Sequence, residues 1–117
     1  MRDDRPYLVD ILQALERVEE IGRRGREAFL ADWLLQDAAI RNFEIVGEAV
    51  KRLSPALQAA HPEIPWADLA GLRDVLIHQY FRVDLEIVWA LIERRVAALR
   101  SDVARLLAAL GTPGSPA

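Results

Sequence analysis

An all-α chain folded as an up-and-down four-helix bundle is the architecture to expect here, and three features carry that expectation. Apolar residues recur at helical spacing through four stretches. Period-2 alternation and Asn-Gly or Asp-Gly hairpin signals are absent. Prolines, together with Gly22 and Gly25, mark the breaks between the stretches. Helices of this kind, joined by short loops and each carrying one apolar stripe, bury those stripes best against one another.

The first helix is expected from about Arg5 to Gly22, with Asp3 or Asp4 as its cap and Pro6 in its first turn. Leu8, Ile11, Leu12, Leu15, Val18 and Ile21 form its stripe, and Gly22-Arg23-Arg24-Gly25 closes it. The second begins near Asp32, a suitable N-cap, and runs to Leu53-Ser54-Pro55 with Leu35, Ala38, Ala39, Asn42, Val46, Ala49, Val50 and Leu53 facing inward. A short extra helical turn over Pro55–Ala60 follows, and His61-Pro62-Glu63-Ile64-Pro65 makes a rigid connector. The third helix opens at Pro65 or Trp66, carries Leu69, Leu72 and Leu76, and ends near His78–Tyr80. The fourth opens around Asp84, where Asp84 and Glu86 suit the positive helix N-terminus. Its stripe of Leu85, Trp89, Ile92, Val96, Leu99, Val103, Leu106 and Leu110 repeats like a heptad seam. One helical domain over 1–110 is expected, with 111–117 as a disordered, flexible tail.

The chain has 117 residues, 52% apolar and 28% charged, the size and composition of one globular domain. No apolar run reaches the roughly 18–20 residues of a membrane span, and the N-terminus is polar where a leader would be apolar, so a cytoplasmic protein is expected. The absence of cysteine excludes disulfides and thiolate metal sites. A net charge of −3 argues against coating nucleic acid by bulk electrostatics. It leaves room for a local basic site, because every basic residue except Lys51 is Arg, which grips phosphate bidentately.

Chemistry concentrates in Gly71-Leu72-Arg73-Asp74-Val75-Leu76-Ile77-His78-Gln79-Tyr80, which brings together a guanidinium, a carboxylate, an imidazole and a phenol. Asp74 and His78 stand i, i+4 on a helix, so the carboxylate can fix the imidazole tautomer and favour its protonated form. Arg73 and Tyr80 also share a face. Arg73 and His78 do not: five helical steps leave them about 140° apart. Either the helix ends before His78 or two copies of the chain contribute to one cleft, and the geometry favours the dimeric site. The bland reading of the same cluster is a surface ion-pair and capping network.

The motif Arg73-Asp74-x3-His78-x-Tyr80 resembles the signature of the HEPN proteins in the form found in their HepT-like branch. The likeness extends to Leu35-Gln36-Asp37-Ala38, to Arg41-Asn42-Phe43-Glu44-Ile45-Val46-Gly47-Glu48-Ala49, to Leu53-Ser54-Pro55, to His61-Pro62-Glu63-Ile64-Pro65-Trp66 and to Tyr80-Phe81-Arg82-Val83-Asp84-Leu85 with the residues to Trp89. It covers about residues 5 to 110. Arg-x4-His alone is a weak signal; the whole set in order is a specific one.

The resemblance implies a HEPN-like bundle and a metal-independent endoribonuclease, the toxin of a type VII-like toxin–antitoxin pair. Arg73 and His78 would be catalytic, with Asp74 in support and no cofactor or metal. It further implies a homodimer and an MntA-like nucleotidyltransferase antitoxin that transfers AMP to Tyr80, placing a bulky anion beside the cleft. The residue types suit attack by the RNA 2′-hydroxyl on the adjacent phosphorus, with His78 moving the proton and Arg73 holding the phosphate.

Glu44 and Glu48, i, i+4 on the second helix, are possible orienting residues; ion pairs to arginines across the bundle, Arg73 among them, are the reading preferred over a metal site. His61 is expected to be structural or exposed, and Trp33, Trp66 and Trp89 to be core or interface anchors. Arg23, Arg24 and Arg26 form a basic loop that either meets RNA or a partner or is simply solvated. Two further readings compete with the nuclease: a non-catalytic helical companion subunit of a minimal nucleotidyltransferase, and a structural homodimer built on the 85–110 seam.

Overall fold

The computed structural model describes residues 3–71 and 84–111, and among these there is helix and no strand. The elements are α1 (Arg5–Gly22), α2 (Arg26–Ala31), α3 (Trp33–Lys51), α4 (Pro55–Ala60), α5 (helical over 66–71 as far as it is described), α6 (Leu85–Arg94) and α7 (Val96–Leu110). The architecture is the expected all-α bundle. No helix among the described residues is long and apolar enough to cross a membrane. The tail beyond Gly111 and the end of the third expected helix lie outside the described residues.

Helix α1 has the expected bounds, and its stripe is interior except at Leu12. Leu8, Ile11, Leu15 and Val18 have no exposed surface, while Leu12 is half-buried at the edge. It packs on α3, α6 and α7. Asp4 occupies the N-cap position, but its side chain makes no capping bond. Its two carboxylate oxygens instead accept from Ser54, from the backbone N–H at 2.8 Å and from the hydroxyl at 2.6 Å. Asp4 thus ties the start of α1 to the α3–α4 corner. The Asp3 carboxylate accepts from the Arg5 backbone N–H at 3.0 Å. Ser54 Oγ in turn accepts from Leu57 N–H and caps α4.

Helix α2 is not legible in the sequence. It starts after Gly25, whose φ of 90° is open to glycine and strained for other residues, and it buries only Phe29. A helix of this length has no room for a periodic stripe. Helix α3 starts at Asp32, which caps it through Leu34 N–H as expected. Its buried side includes Phe43 and Gly47 as well as the expected Ala39, Asn42, Val46, Ala49 and Val50. Ala38 is exposed and Leu35 half-buried.

The expected fourth helix is two helices. The chain breaks at Arg95 (φ −120°, ψ −33°), although Arg95 N–H still reaches Leu91 O and Leu99 N–H reaches Arg95 O. A strict heptad stripe drifts about 20° per heptad around a straight helix. The break lets one stripe serve two sets of neighbours: Trp89 of α6 lies against Phe29 with ring centroids 5.7 Å apart, while α7 lies along α1. Trp89, Ile92, Val96, Leu99, Val103 and Leu106 are all buried within the chain. From Trp89 to Leu106 the seam is therefore packed within the chain, while Leu85 and Leu110 at its ends are half-buried.

Close approach of α1 and α6 depends on Gly22 at the end of α1. A Cβ at Gly22 would lie 2.8 Å from Ile92 Cγ2. Gly22→Ala is expected to lower stability by about 1–2 kcal/mol, because overpacking outweighs the up to about 1 kcal/mol that helix propensity returns. Urea unfolding of both proteins measures the difference; equal midpoints would show that the α1–α6 contact is looser than this.

Candidate functional site

The motif Arg73, Asp74, His78 and Tyr80 lies outside the described residues, and so does the question of whether Arg73 and His78 converge. The structure does describe what holds the segment at its two ends. On the entry side Ile64, Trp66 and Leu69 are buried, and Trp66 Nε1 donates to His61 O at 2.9 Å, fastening the proline-rich connector. On the exit side Asp84 caps α6 by accepting from Glu86 N–H at 3.0 Å, and Val88 and Trp89 are buried one turn later. The chain is thus rooted in the core before 72 and after 83.

Glu44 and Glu48 lie on the outer side of α3, in an open groove of about 460 Å³ between α1 and α3. Glu44 Oε2 is 3.6 Å from Arg41 Nη1, and Glu48 Oε1 is 3.4 Å from Arg52 Nη2. Both carboxylates do pair with arginines, but these pairs run along α3 and its C-cap; the expected pairing across the bundle to Arg73 lies outside the described residues. Tyr7 and Asp10 of α1 complete the groove wall. They were not singled out from sequence, although their i, i+3 spacing on the less apolar side of α1 places them together. Among the described residues no group of three or more His, Asp or Glu side chains is placed to hold a metal ion.

The basic loop divides in the structure. Arg26 is engaged by Glu86 across α2 and α6, and that hydrogen bond, followed by the charge of Glu86, raises its already high pKa. Arg23 stands 4.0 Å from Glu19, a carboxylate that binds Arg100 of α7 more closely, at 2.7 Å. Arg24 lines a second cavity between α1 and α3. His61 Nδ1 is 3.3 Å from Glu63 Oε1 at the surface, in keeping with a structural role. Trp66 and Trp89 are core anchors, whereas Trp33 is exposed, as are its neighbour Leu34 and, on α6, Ile87.

Sequence comparison adds the following. The model of the family described as Ribonuclease HepT-like matches residues 11–106. A protein of Caldanaerobacter subterraneus subsp. tengcongensis, named as a candidate RNase, is 40% identical over 92% of this chain and 96% of its own. A "Probable ribonuclease HepT" of Thermococcus cleftensis is 41% identical over 90% of this chain and 96% of its own. A further candidate RNase by name, from Methanocaldococcus jannaschii, is 32% identical over 91% of this chain and 88% of its own. No solved structure matches the chain significantly.

The Glu44–Arg41 pair is on the surface, where such pairs contribute about 0–1 kcal/mol. Glu44→Gln is accordingly expected to change the free energy of unfolding by less than about 0.5 kcal/mol. Urea unfolding checks this, and a loss of several times that size would show that Glu44 supports the fold.

Proposed function

The chain belongs to the HepT-like family of ribonucleases, and from that premise we propose that it is a metal-independent endoribonuclease, the toxin of a type VII-like toxin–antitoxin pair. The observation that carries the proposal is that the span matched by the family, 11–106, contains the whole motif Arg73-Asp74-x3-His78-x-Tyr80. Its chemistry suits RNA and not DNA, because the nucleophile is the 2′-hydroxyl. The 2′-oxygen attacks the adjacent phosphorus and the bond to the 5′-oxygen breaks, leaving a 2′,3′-cyclic phosphate and a 5′-hydroxyl. A proton must leave the 2′-hydroxyl and another must reach the 5′-oxygen. His78 performs one of these transfers near neutral pH, and the other falls to water or to the His78 of a second copy. Asp74 orients His78. Arg73 binds the phosphate and stabilises the charge that grows on it.

The about 140° between Arg73 and His78 on a straight helix supports a homodimer whose two copies share the cleft. Because Trp89 to Leu106 of the seam are packed within the chain, this dimer forms through other residues. An MntA-like nucleotidyltransferase antitoxin would silence the enzyme by transferring AMP to Tyr80, whose phosphate then repels the RNA backbone from the cleft. The site of action is the cytoplasm.

Purified chain in excess chelator is expected to cut RNA to products with 2′,3′-cyclic phosphate ends. His78→Ala should slow cleavage by about 10²–10⁴-fold and Arg73→Ala by about 10²–10³-fold. RNA that stays intact with all three proteins would favour the non-catalytic companion subunit, and equal cutting by all three would place the active residues elsewhere. Co-expression with an MntA-like nucleotidyltransferase is expected to add AMP units to the intact mass, and Tyr80→Phe to abolish the addition. An unchanged wild-type mass removes the regulatory role of Tyr80 and leaves the nuclease reading intact.

A further inference from the structure

The outward side of α3 begins with two large apolar residues in water. Trp33 is 66% exposed and Leu34 59%, and they stand at a firmly built corner. Asp32 caps the helix by accepting from Leu34 N–H at 2.9 Å. Gln36 Nε2 donates to the Phe29 and Leu30 carbonyls at 3.0 and 3.2 Å, which fastens α2 to α3. The corner is thus ordered before anything docks on it, and covering it costs little further entropy. At about 100° per residue, Trp33, Leu34, Asp37, Arg41 and Ile45 fall within about 120° of one another, opposite the buried Ala39, Phe43, Val46 and Val50. Ala38, exposed beside them, has no bulk to hold a second helix away.

The charges on this side match one occupant in particular. Asp37 is exposed and makes no ion pair or side-chain hydrogen bond with another described residue, not even with Arg41 at i+4. The Arg41 side chain is 72% exposed, and its Nη1 lies 3.6 Å from Glu44 Oε2. That is too far for a hydrogen bond, so the guanidinium keeps its donors. Let a second copy of α3 lie antiparallel to the first, about a two-fold axis midway between 37 and 41. Asp37 of each copy then faces Arg41 of the other, and Trp33, one turn earlier, faces Ile45, one turn later. A two-fold interface needs this self-complementarity, in which one residue meets a second and the second meets the first. We propose that this side of α3 is a homodimer interface: two antiparallel copies of α3, joined by two Asp37–Arg41 pairs, with Trp33 of each copy over Ile45 of the other. The assignment rests on the homodimer reading and gives that dimer its surface. Nucleic acid fits the face less well, because Asp37 and Glu44 stand on either side of Arg41 and repel phosphate.

The test weighs the full chain in solution by light scattering over a range of concentrations. The wild type is expected at twice the chain mass. Asp37→Arg sets arginine against arginine and Arg41→Asp sets aspartate against aspartate, so each variant alone should dissociate at least about tenfold more readily. An equal mixture of the two should dimerise again, since every arginine of one variant then meets an aspartate of the other. Both positions are exposed, so both variants are expected to fold, which circular dichroism checks. Trp33→Ala leaves the charges untouched and should also weaken the dimer. Single variants that dimerise like the wild type overturn the α3 interface and leave the homodimer standing on another surface. Monomeric variants whose mixture stays monomeric overturn the antiparallel pairing. A monomeric wild type overturns both the interface and the homodimer, and leaves the face to a different protein. RNA cutting does not enter the readout, so the nuclease reading stands or falls on its own test.

Discussion

Burial of one broad face of α1 is the constraint on which the rest of the fold depends. A helix that meets α3, α6 and α7 must be apolar over more than a narrow stripe, and Ala14 joins the expected residues in its core. Its exposed polar residues, Asp10, Gln13, Glu16, Arg17 and Glu20, lie off that face. At one end Asp4 grips Ser54 and Arg5 reaches Leu110 O at 3.4 Å. Further along, Glu19 holds Arg100. These contacts link segments far apart in sequence, so α1 organises both the α3–α4 corner and the end of α7.

That arrangement bears directly on the chemistry assigned to the chain. The described chain is buried at Leu69 before the motif segment and at Val88 after it. The bundle therefore supplies attachment points in the core on either side of that segment. On α3 the inner side is apolar and the outer side carries Arg41, Glu44, Glu48 and Arg52 around an open groove. Asn42 is the exception. It is a polar side chain on the inner side with an unmet acceptor, and the local conflict marks it out from residues that only pack.

The charge pattern also gains a physical reading. A chain with a net charge of −3 does not attract RNA by its overall field, so contacts must come from individual arginines left free of carboxylates. Arg26, Arg52 and Arg100 are held by Glu86, Glu48 and Glu19. Arg17 and Arg24 face a cavity instead. Local availability of guanidinium, and not the count of basic residues, decides where phosphate can be bound.

Sequence alone determined the helical class, the bounds of α1, the cap and most of the inner side of α3, the Ser54–Pro55 start of α4 and the seam from Trp89 to Leu106. Each follows from local rules: periodicity, capping preferences and proline geometry act within a few residues. The chemical motif was legible for a different reason, since its residue types and order identify it without coordinates. Tertiary structure decided what depends on distant neighbours. Asp4 serves Ser54 and not its own helix because the corner of α3 and α4 arrives beside it. The seam bends at Arg95 because α6 and α7 face different partners. Glu44 and Glu48 pair along their own helix, Gly22 admits Ile92, and the acceptor of Asn42 is stranded between α1 and α3, all consequences of which helices meet and at what separation.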